Sequence, residues 1–175
     1  MTRSTLGDSQ DFHVFIDAYR RQYPDDVLTI TQPLSADQDV TALVDALAAQ
    51  GRDPLLICEN VGNLGVPVAT NLFASRRRIA RLFGVSAAQL HETFQTHANQ
   101  PIAPRYVETG PILDEVFEGE TLDLALLPML KHFDSDRGPY ITNAIIIAED
   151  PQTGIANMSY HRSMRHARQA LATSL

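Results

Sequence analysis

The feature that most constrains the fold is a β-prone run followed by a turn and a second extended segment. Tyr140–Ala148 is rich in β-branched residues, and the turn-forming stretch Pro151–Gly154 comes shortly after it. Ile155–Arg162 can pair with the first run across this turn, so the sequence predicts an antiparallel hairpin. Its second half, Asn157–Arg162, gathers an amide oxygen, a hydroxyl and a guanidinium, which are groups that a metal–phosphate site requires.

Alternation along a strand leaves the role of Asn157–Arg162 open. Successive side chains point to opposite faces, so residues 157, 159 and 161 face one way and residues 158, 160 and 162 the other. Arg162 shares a face with Asn157 only if the strand bends or bulges. From spacing alone, a polar edge strand is therefore the simpler interpretation of this segment.

The sequence before residue 115 alternates helical and extended segments. Apolar spacing predicts helices at Ser9–Tyr23, Asp39–Gln50, Ser75–Phe83 and Ser86–His97, and strands at Val27–Thr31, Pro54–Glu59 and Pro67–Thr70. Asp8 or Ser9 is expected to cap the first helix, and Ser86 with Gln89 three residues later is the pattern of a capping box. This alternation is typical of an α/β layer.

The character of the sequence changes from about Pro101. Prolines at positions 101, 104, 111 and 128 separate short segments, and Leu113–Phe117 is predicted to be a strand. We therefore expect two domains, an α/β domain over residues 1–115 and a β-rich domain that begins at residue 116 and runs to residue 175.

Composition and charge exclude several classes of protein. With 44% hydrophobic and 20% charged residues, the chain is typical of a soluble globular protein. No apolar run approaches the roughly 20 residues that cross a bilayer, and the N-terminus lacks the apolar core of a signal peptide. The formal charge of −7 disfavours a nucleic-acid partner. Cys58, the single cysteine, is expected to be a buried, inert thiol, so the cytoplasm is the expected location.

The helices predicted at Ser75–Phe83 and Ser86–His97 resemble the helix pair of a helix-turn-helix protein. The second helix contains no Lys or Arg and carries Glu92, whereas a recognition helix normally offers cationic or amide groups to DNA. A packing unit without a role in DNA binding is therefore the favoured interpretation. It predicts that Ile79, Leu82, Leu90 and Phe94 are buried and that Arg76–Arg78 are partly exposed.

Two further segments have simple structural interpretations. His132, Asp134 and Asp136 are potential metal ligands, but polar residues also collect in solvated turns such as the one expected before Gly138. Gly62–Pro67 is a glycine-bearing loop that lacks the third glycine of a dinucleotide-binding fingerprint, so a tight turn is expected there.

Several segments together resemble the UbiD family of prenylated-flavin-dependent decarboxylases. They follow the family's order and are Leu55–Val61, Pro67–Arg76, Val107–Pro111, Leu127–Pro128, Asp136–Thr142 and Asn157–Arg162. The resemblance is weaker beyond Met164. It implies an α+β fold, in which an N-terminal α/β domain is followed by the first strands of a split β-barrel that binds a flavin.

The resemblance also implies roles for individual residues. Asn157 matches the family's asparagine ligand to a divalent ion, which is usually Mn²⁺, with K⁺ as a further candidate ion. Arg162 matches the arginine beside the reacting carboxylate and the flavin. The positions that match residues lining the prenylated FMN are Thr142, Ser159, Tyr160, His161 and Arg162.

The function implied by the resemblance is non-oxidative decarboxylation of an aromatic or α,β-unsaturated carboxylic acid. In the family, the histidine and glutamate metal ligands and the acidic proton donor lie beyond the position matching Leu175. We therefore expect an N-terminal portion that is inactive alone, and a homo-oligomer for the full-length protein. The alternative is a non-catalytic module, either a pseudo-enzyme subunit or a helix-turn-helix DNA-binding protein.

Overall fold

The computed structural model describes residues 11–103 and 106–173. These residues form two compact units, each with a three-stranded sheet. One unit contains residues 11–30, 47–57, 68–103 and 106–115, and the other contains residues 31–46, 58–67 and 116–173. The mixture of helices and strands confirms the α+β class. In the described part of the chain, no helix is long and apolar enough to span a membrane.

The helices and strands follow the predicted order closely. The helices are α1 (Phe12–Gln22), α2 (Asp39–Ala49), α3 (Arg76–Leu82) and α4 (Leu90–Ala98). The strands are β1 (Val27–Ile30), β2 (Leu55–Cys58), β3 (Val68–Thr70), β4 (Tyr140–Glu149), β5 (Ala156–Ala167) and β6 (Ala170–Thr173).

Local hydrogen bonds fix the ends of the helices. The carboxylate of Asp11 caps α1 by accepting a 3.0 Å hydrogen bond from the backbone N–H of Val14. The predicted caps, Asp8 and Ser9, lie outside the described residues. Ser86 and Gln89 contact each other through Oγ and Oε1 at 2.8 Å, but they occupy the turn before α4, so this helix begins later than predicted.

The first unit is built around β2, whose four residues are all buried. In the sheet, β2 lies between β1 and β3. Ile16 and Tyr19 of α1 pack against Leu55 and Ile57 to form the hydrophobic core. The apolar face of α1 thus supplies the burial that a short, four-residue strand cannot supply by itself.

A buried ion cluster in this unit corrects the prediction for Arg76–Arg78. Arg78 is fully buried, and its Nε and Nη2 donate to the two carboxylate oxygens of Asp26 at 3.2 and 3.1 Å. Arg81 donates to Asp26 at 2.8 Å, and so does the hydroxyl of Tyr19 at 2.6 Å. The prediction of partial exposure is wrong for Arg78, whose burial the pairing with Asp26 makes tolerable, whereas Arg76 and Arg77 are exposed.

The apolar residues of α3 and α4 are buried less completely than predicted. Leu90 is buried, Ile79 and Leu82 are half-buried, and Phe94 is exposed. The ring of Phe94 packs edge-on against Phe83, with ring centroids 6.2 Å apart, and this contact covers one side of it. The prediction was therefore right for Leu90 and wrong for Phe94.

The second unit contains the predicted hairpin. β4 pairs antiparallel with β5 from Glu149 opposite Ala156 to Tyr140 opposite Met164. The hairpin is confirmed, although its second strand runs farther than predicted. A third strand, β6, pairs antiparallel with the end of β5 and was missed, because Ala170–Thr173 is too short to show a clear pattern. Within the described residues this sheet does not close into a barrel.

A β-bulge interrupts the pairing of β4 with β5. Ile141 lies opposite Ser163 and Ala144 lies opposite His161, so Thr142 and Asn143 together face Arg162. A bulge of this kind places two residues against one and changes which side chains share a face.

The strand predicted at Leu113–Phe117 is wrong. Pro111–Leu113 forms a 3₁₀ turn, closed by a 2.9 Å hydrogen bond from the backbone N–H of Leu113 to Gly110. Leu113, Val116 and Phe117 are exposed, and none of the described strands pairs with this segment. The Gly62–Pro67 loop does form the expected tight turn, in which Gly62, Asn63 and Gly65 have left-handed backbone angles.

Candidate active site

A cleft of about 490 Å³ lies on one side of the β4–β5–β6 sheet. Its walls combine polar and apolar side chains of the second unit, and they are His132, Phe133, Asp136, Tyr140, Thr142, Arg162, Met164, Ala172 and Thr173. This volume lies within the range of small-molecule sites, which is roughly 300–1,000 Å³.

Thr142 and Arg162 line the same cleft. Tyr140 lies opposite Met164, and both line the cleft with Thr142 and Arg162. Beyond the bulge, the pairing register shifts by one residue, and Ala144 lies opposite His161. Thr142 and Arg162, which were predicted to lie beside the flavin and the carboxylate, therefore lie on one wall of the cleft.

The remaining predicted residues fall on the two faces of the hairpin. Asn157, Ser159 and His161 alternate with Tyr160 and Arg162 along β5. Ser159 Oγ lies 2.7 Å from His161 Nε2, which shows that these two side chains share a face. The structure thus groups Thr142 with Arg162 and groups Ser159 with His161.

Tyr160 and Asn157 are both exposed on the hairpin. Tyr160 is on the same face as Arg162 and lies opposite Ile145 on β4. The adjacent pair on that face, Met158 and Ile147, is also exposed. Asn157 lies opposite Ala148, on the other face from Arg162. The structure does not bring Asn157 together with Arg162.

The polar turn at His132–Asp136 is held by hydrogen bonds of its own. Asp136 accepts from the backbone N–H groups of His132 and Phe133, both at 3.0 Å. Asp134 accepts a 2.8 Å bond from the side chain of Gln38. These contacts support the interpretation of the segment as a structured turn, and they use the carboxylates that a metal would need.

The described residues do not by themselves form a metal site. No group of three or more His, Cys, Asp or Glu side chains within residues 11–103 and 106–173 is placed to hold a metal ion. Asn157 offers one amide oxygen, whereas octahedral coordination by oxygen, the geometry typical of Mn²⁺, takes six ligands. A manganese site that uses Asn157 needs ligands from outside the described residues.

A flavin or an aromatic acid fits the cleft better than a metal does. Phe133 and Met164 offer apolar area to an aromatic ring, and Arg162 offers a guanidinium to an anionic group. Thr142 adds a hydroxyl beside the guanidinium. The composition of the walls therefore suits a planar ring that carries a negative charge.

Two other candidates have structural roles away from the cleft. Burial raises the pKa of the Cys58 thiol, so its reactive thiolate form is disfavoured, as expected for an inert cysteine. The guanidinium of Arg78 also donates to the backbone carbonyls of Asn71 and Asp53, so it cannot reach a DNA backbone.

Two family models match this chain. The model of the N-terminal domain of 3-octaprenyl-4-hydroxybenzoate carboxy-lyase (UbiD_N) matches residues 19–97. The model of the Rift-related domain of the same carboxy-lyase (UbiD) matches residues 105–175. The second match continues past Met164, and the added strand β6 lies in that part.

Individual relatives agree with the family models. The anhydromevalonate phosphate decarboxylase of Methanothermobacter thermautotrophicus is 31% identical over 76% of this chain and 31% of its own length. The UbiD-class enzyme HmfF of Pelotomaculum thermopropionicum, in complex with FMN, is 28% identical with a TM-score of 0.80, over 90% of this chain and 35% of that one. An evolved dimeric form of HmfF, in complex with prFMN, is 27% identical with a TM-score of 0.83, over 95% of this chain and 38% of that one.

The chain spans about a third of the length of the curated relatives that it matches. The likeness to HmfF shows that the α+β fold of the described residues is the fold of the corresponding part of a UbiD-class enzyme.

Proposed function

This chain belongs to the UbiD family of carboxy-lyases, and we propose that it is the N-terminal part of a UbiD-type decarboxylase. The proposed reaction is the non-oxidative decarboxylation of an aromatic or α,β-unsaturated carboxylic acid with prenylated FMN. Relatives named as decarboxylases, and the FMN and prFMN complexes of HmfF, support this proposal.

The observation that carries the proposal is the position of Arg162. Arg162 and Thr142 both line a cleft that has aromatic and thioether surfaces. A guanidinium at this position binds a carboxylate through charge-assisted hydrogen bonds and holds it in one orientation. Orientation of the scissile bond is the contribution that a protein makes when a cofactor supplies the chemistry.

The other predicted residues complete the proposed assignment. Thr142, Tyr160 and Arg162 are proposed to contact the flavin through their side chains. Ser159 and His161, whose side chains lie on the other face of the hairpin, are proposed to contact it through backbone groups. The flavin, when bound, would supply the electron sink for loss of CO₂. Asn157 is proposed to contribute one oxygen ligand to Mn²⁺, with K⁺ as a further ion, at a metal site completed by residues outside the described ranges.

We propose a cytoplasmic homo-oligomer with no nucleic-acid or membrane partner, and the dimeric form of HmfF supports the oligomer. The domain assignment, residues 1–115 and 116–175, is proposed on the change in sequence character.

The role of Arg162 is tested by ligand binding to the purified chain. We expect FMN and cinnamate, added separately, to shift the NMR signals of cleft residues with weak, saturable binding. In Arg162→Ala, the dissociation constant for cinnamate should rise by roughly tenfold or more, because a hydrogen bond to a charged group contributes about 1.5–3 kcal/mol.

Arg165→Ala is the matched control for this measurement. Arg165 is on the same strand but is not among the residues that line the cleft. Its replacement should leave cinnamate binding within about twofold of the wild-type value. Equal weakening by the two substitutions would show that net charge, and not the position of Arg162, determines binding.

A further inference from the structure

A small cavity of about 250 Å³ lies in the first unit, between the turn after α1 and helix α3. Tyr23, Asp25, Arg77 and Arg81 are among the residues that line it. We propose that this cavity binds a phosphate group through the guanidinium groups of Arg77 and Arg81. Its lining residues all belong to the first unit, so the site is independent of the cleft that contains Arg162.

Arg77 and Arg81 are held close together by one carboxylate. Arg77 Nη2 lies 3.4 Å from Asp26 Oδ1, and Arg81 Nη1 lies 2.8 Å from Asp26 Oδ2. The two arginines are four positions apart on α3, so their side chains extend from the same face of the helix. Because both cations reach the two oxygens of a single carboxylate, a second oxyanion of similar size can contact both of them from the cavity.

Both guanidinium groups retain donors for a ligand. A guanidinium has five N–H groups, and a phosphate can accept two of them in parallel. Among the described residues, Arg81 donates only through Nη1, to Tyr19 and Asp26, and Arg77 donates only through Nη2. The guanidinium of Arg81 also lies over the ring of Tyr23, 4.0 Å from its centroid, which restricts its orientation. The Nε and the second Nη of each arginine are therefore the donors that a ligand would meet.

The charges around the cavity favour an anion. Arg77, Arg78 and Arg81 all pair with Asp26, so three positive charges meet one carboxylate. Asp25 also lines the cavity and offsets one of the two remaining positive charges. The chain as a whole has a formal charge of −7, so general attraction between the protein and anions would not produce saturable binding at this position.

The size of the cavity favours a small ligand. Sites for drug-sized molecules occupy roughly 300–1,000 Å³, and this cavity is smaller. A phosphate group carries about −1.5 to −2 charges at pH 7, and its oxygens match the planar fork of a guanidinium. The phosphate is either the free ion or the end of a monoester whose remainder extends into solvent.

Titration of the purified chain with inorganic phosphate tests the site, with the ionic strength held constant by chloride. The NMR signals of the Arg77 and Arg81 guanidinium groups should shift and saturate, with a dissociation constant of roughly 1 mM. Arg77→Gln should raise this constant roughly threefold or more, because it removes one of the two cations. Arg76→Gln is the matched control, since it removes the same charge from an exposed neighbour that does not line the cavity. Arg76→Gln should leave the constant within about 1.5-fold of the wild-type value.

Asp25→Asn gives an expectation of the opposite sign. Removal of a negative charge from the cavity wall should tighten phosphate binding by roughly two- to threefold. Asp25 and Arg77 are both exposed, so their variants are expected to retain the fold, which circular dichroism checks. Arg162→Ala should leave phosphate binding unchanged, because Arg162 lines the cleft of the second unit.

Phenyl phosphate and acetate, titrated in parallel, identify the ligand. Tighter binding of phenyl phosphate than of inorganic phosphate would indicate a monoester, whereas equal or weaker binding would indicate the free ion, and both results support the site. Acetate has a smaller charge and should bind more weakly. The proposal is overturned by the absence of a saturable shift, by acetate binding as tight as phosphate binding, or by equal weakening in Arg76→Gln and Arg77→Gln. Weaker binding in Asp25→Asn, or loss of binding in Arg162→Ala, would also overturn it.

Discussion

At the scale of single residues, the strongest interactions of the first unit converge on Asp26. Burial alone raises the pKa of this carboxyl, but hydrogen bonds from Arg78 and Tyr19, with the charges of Arg78 and Arg81, outweigh burial and lower the pKa below its ordinary value. Arg81 also stacks on the ring of Tyr23, 4.0 Å from its centroid. The cluster therefore links α1, the turn before β1 and α3 through charges that are shielded from water.

We expect Arg78→Met to lower the free energy of unfolding by roughly 3–5 kcal/mol, because it leaves the buried carboxylate of Asp26 with less compensation. Urea denaturation followed by circular dichroism measures this change. Arg77→Met is the matched control, since the side chain of Arg77 is 62% exposed and its pair with Asp26 is longer, at 3.4 Å. Arg77→Met should lower the free energy of unfolding by about 1 kcal/mol or less. Similar losses in the two variants would contradict this account of the cluster.

The lowered pKa of Asp26 predicts a specific dependence of stability on pH. The ionised form stabilises the folded state, so its contribution is fully present above the unfolded-state pKa, which is near 3.8. It is lost as the pH falls below that value and through the folded-state pKa. The difference in unfolding free energy between wild type and Asp26→Asn should therefore be constant above this range and shrink below it. A difference that grows on acidification would contradict the assignment.

At the scale of elements, the hairpin could be predicted and the bulge could not. The β-branched density of Tyr140–Ala148 and the turn-forming residues after it specify two paired strands. Pairing register depends on contacts between strands, which a single sequence does not display. The register that sets Tyr140 opposite Met164 puts Thr142 on the same face as Arg162, and alternation along β5 puts Asn157 on the other face.

Gly154 provides a test of the turn that sets this register. Gly154 has a φ of +69°, and its backbone N–H donates to Asp150 at 2.8 Å. An added Cβ would meet the carboxylate of Glu149 at an ordinary 3.8 Å, so the cost of Gly154→Ala is conformational. We expect a loss of about 1–2 kcal/mol in unfolding free energy.

Gly110→Ala is the control for the glycine substitution. Gly110 has an extended φ of −177°, and a Cβ there would meet nothing within 4 Å. Its replacement should change the unfolding free energy by less than about 0.5 kcal/mol. Urea denaturation under the same conditions measures the unfolding free energy of both variants. A larger loss for Gly110→Ala than for Gly154→Ala would contradict the conformational explanation.

The ion cluster shows a second limit of sequence reasoning. The sequence places Arg76, Arg77 and Arg78 in one run and gives no sign that only the third is buried. Burial of Arg78 depends on Asp26, which is 52 residues away. Long-range pairing of this kind, like the short strand β6, is decided by tertiary contacts that local patterns do not contain.

At the scale of the whole molecule, the described residues supply only part of the candidate site. The described residues supply a cleft, the guanidinium of Arg162 and a hydroxyl at Thr142. They supply one of the proposed metal ligands, Asn157, and this residue lies on the other face of the hairpin from Arg162. Tight binding of metal and flavin therefore requires groups from outside these residues.

Family membership was predictable because several motifs recur in order, while the substrate was not. Six segments in the family's order, from Leu55–Val61 to Asn157–Arg162, together identify the family, and the two family models confirm the identification. The cleft joins residues that are distant in the sequence, and His132 in its wall contacts Thr41 at 2.8 Å. Such a pairing becomes visible only in the folded chain.

The most direct test of the central claim is an assay of CO₂ release by the purified chain. The chain is supplied with prenylated FMN, Mn²⁺ and a panel of cinnamic and aromatic acids, and CO₂ is compared with a control that contains cofactor without protein. We predict weak flavin binding that depends on Arg162, and CO₂ release no greater than the control, because the resemblance places the family's acidic proton donor outside the described residues, and general acid catalysis is worth roughly 10²–10⁴-fold. CO₂ release above the control, lost in Arg162→Ala, would contradict the claim that the chain is one part of a larger decarboxylase.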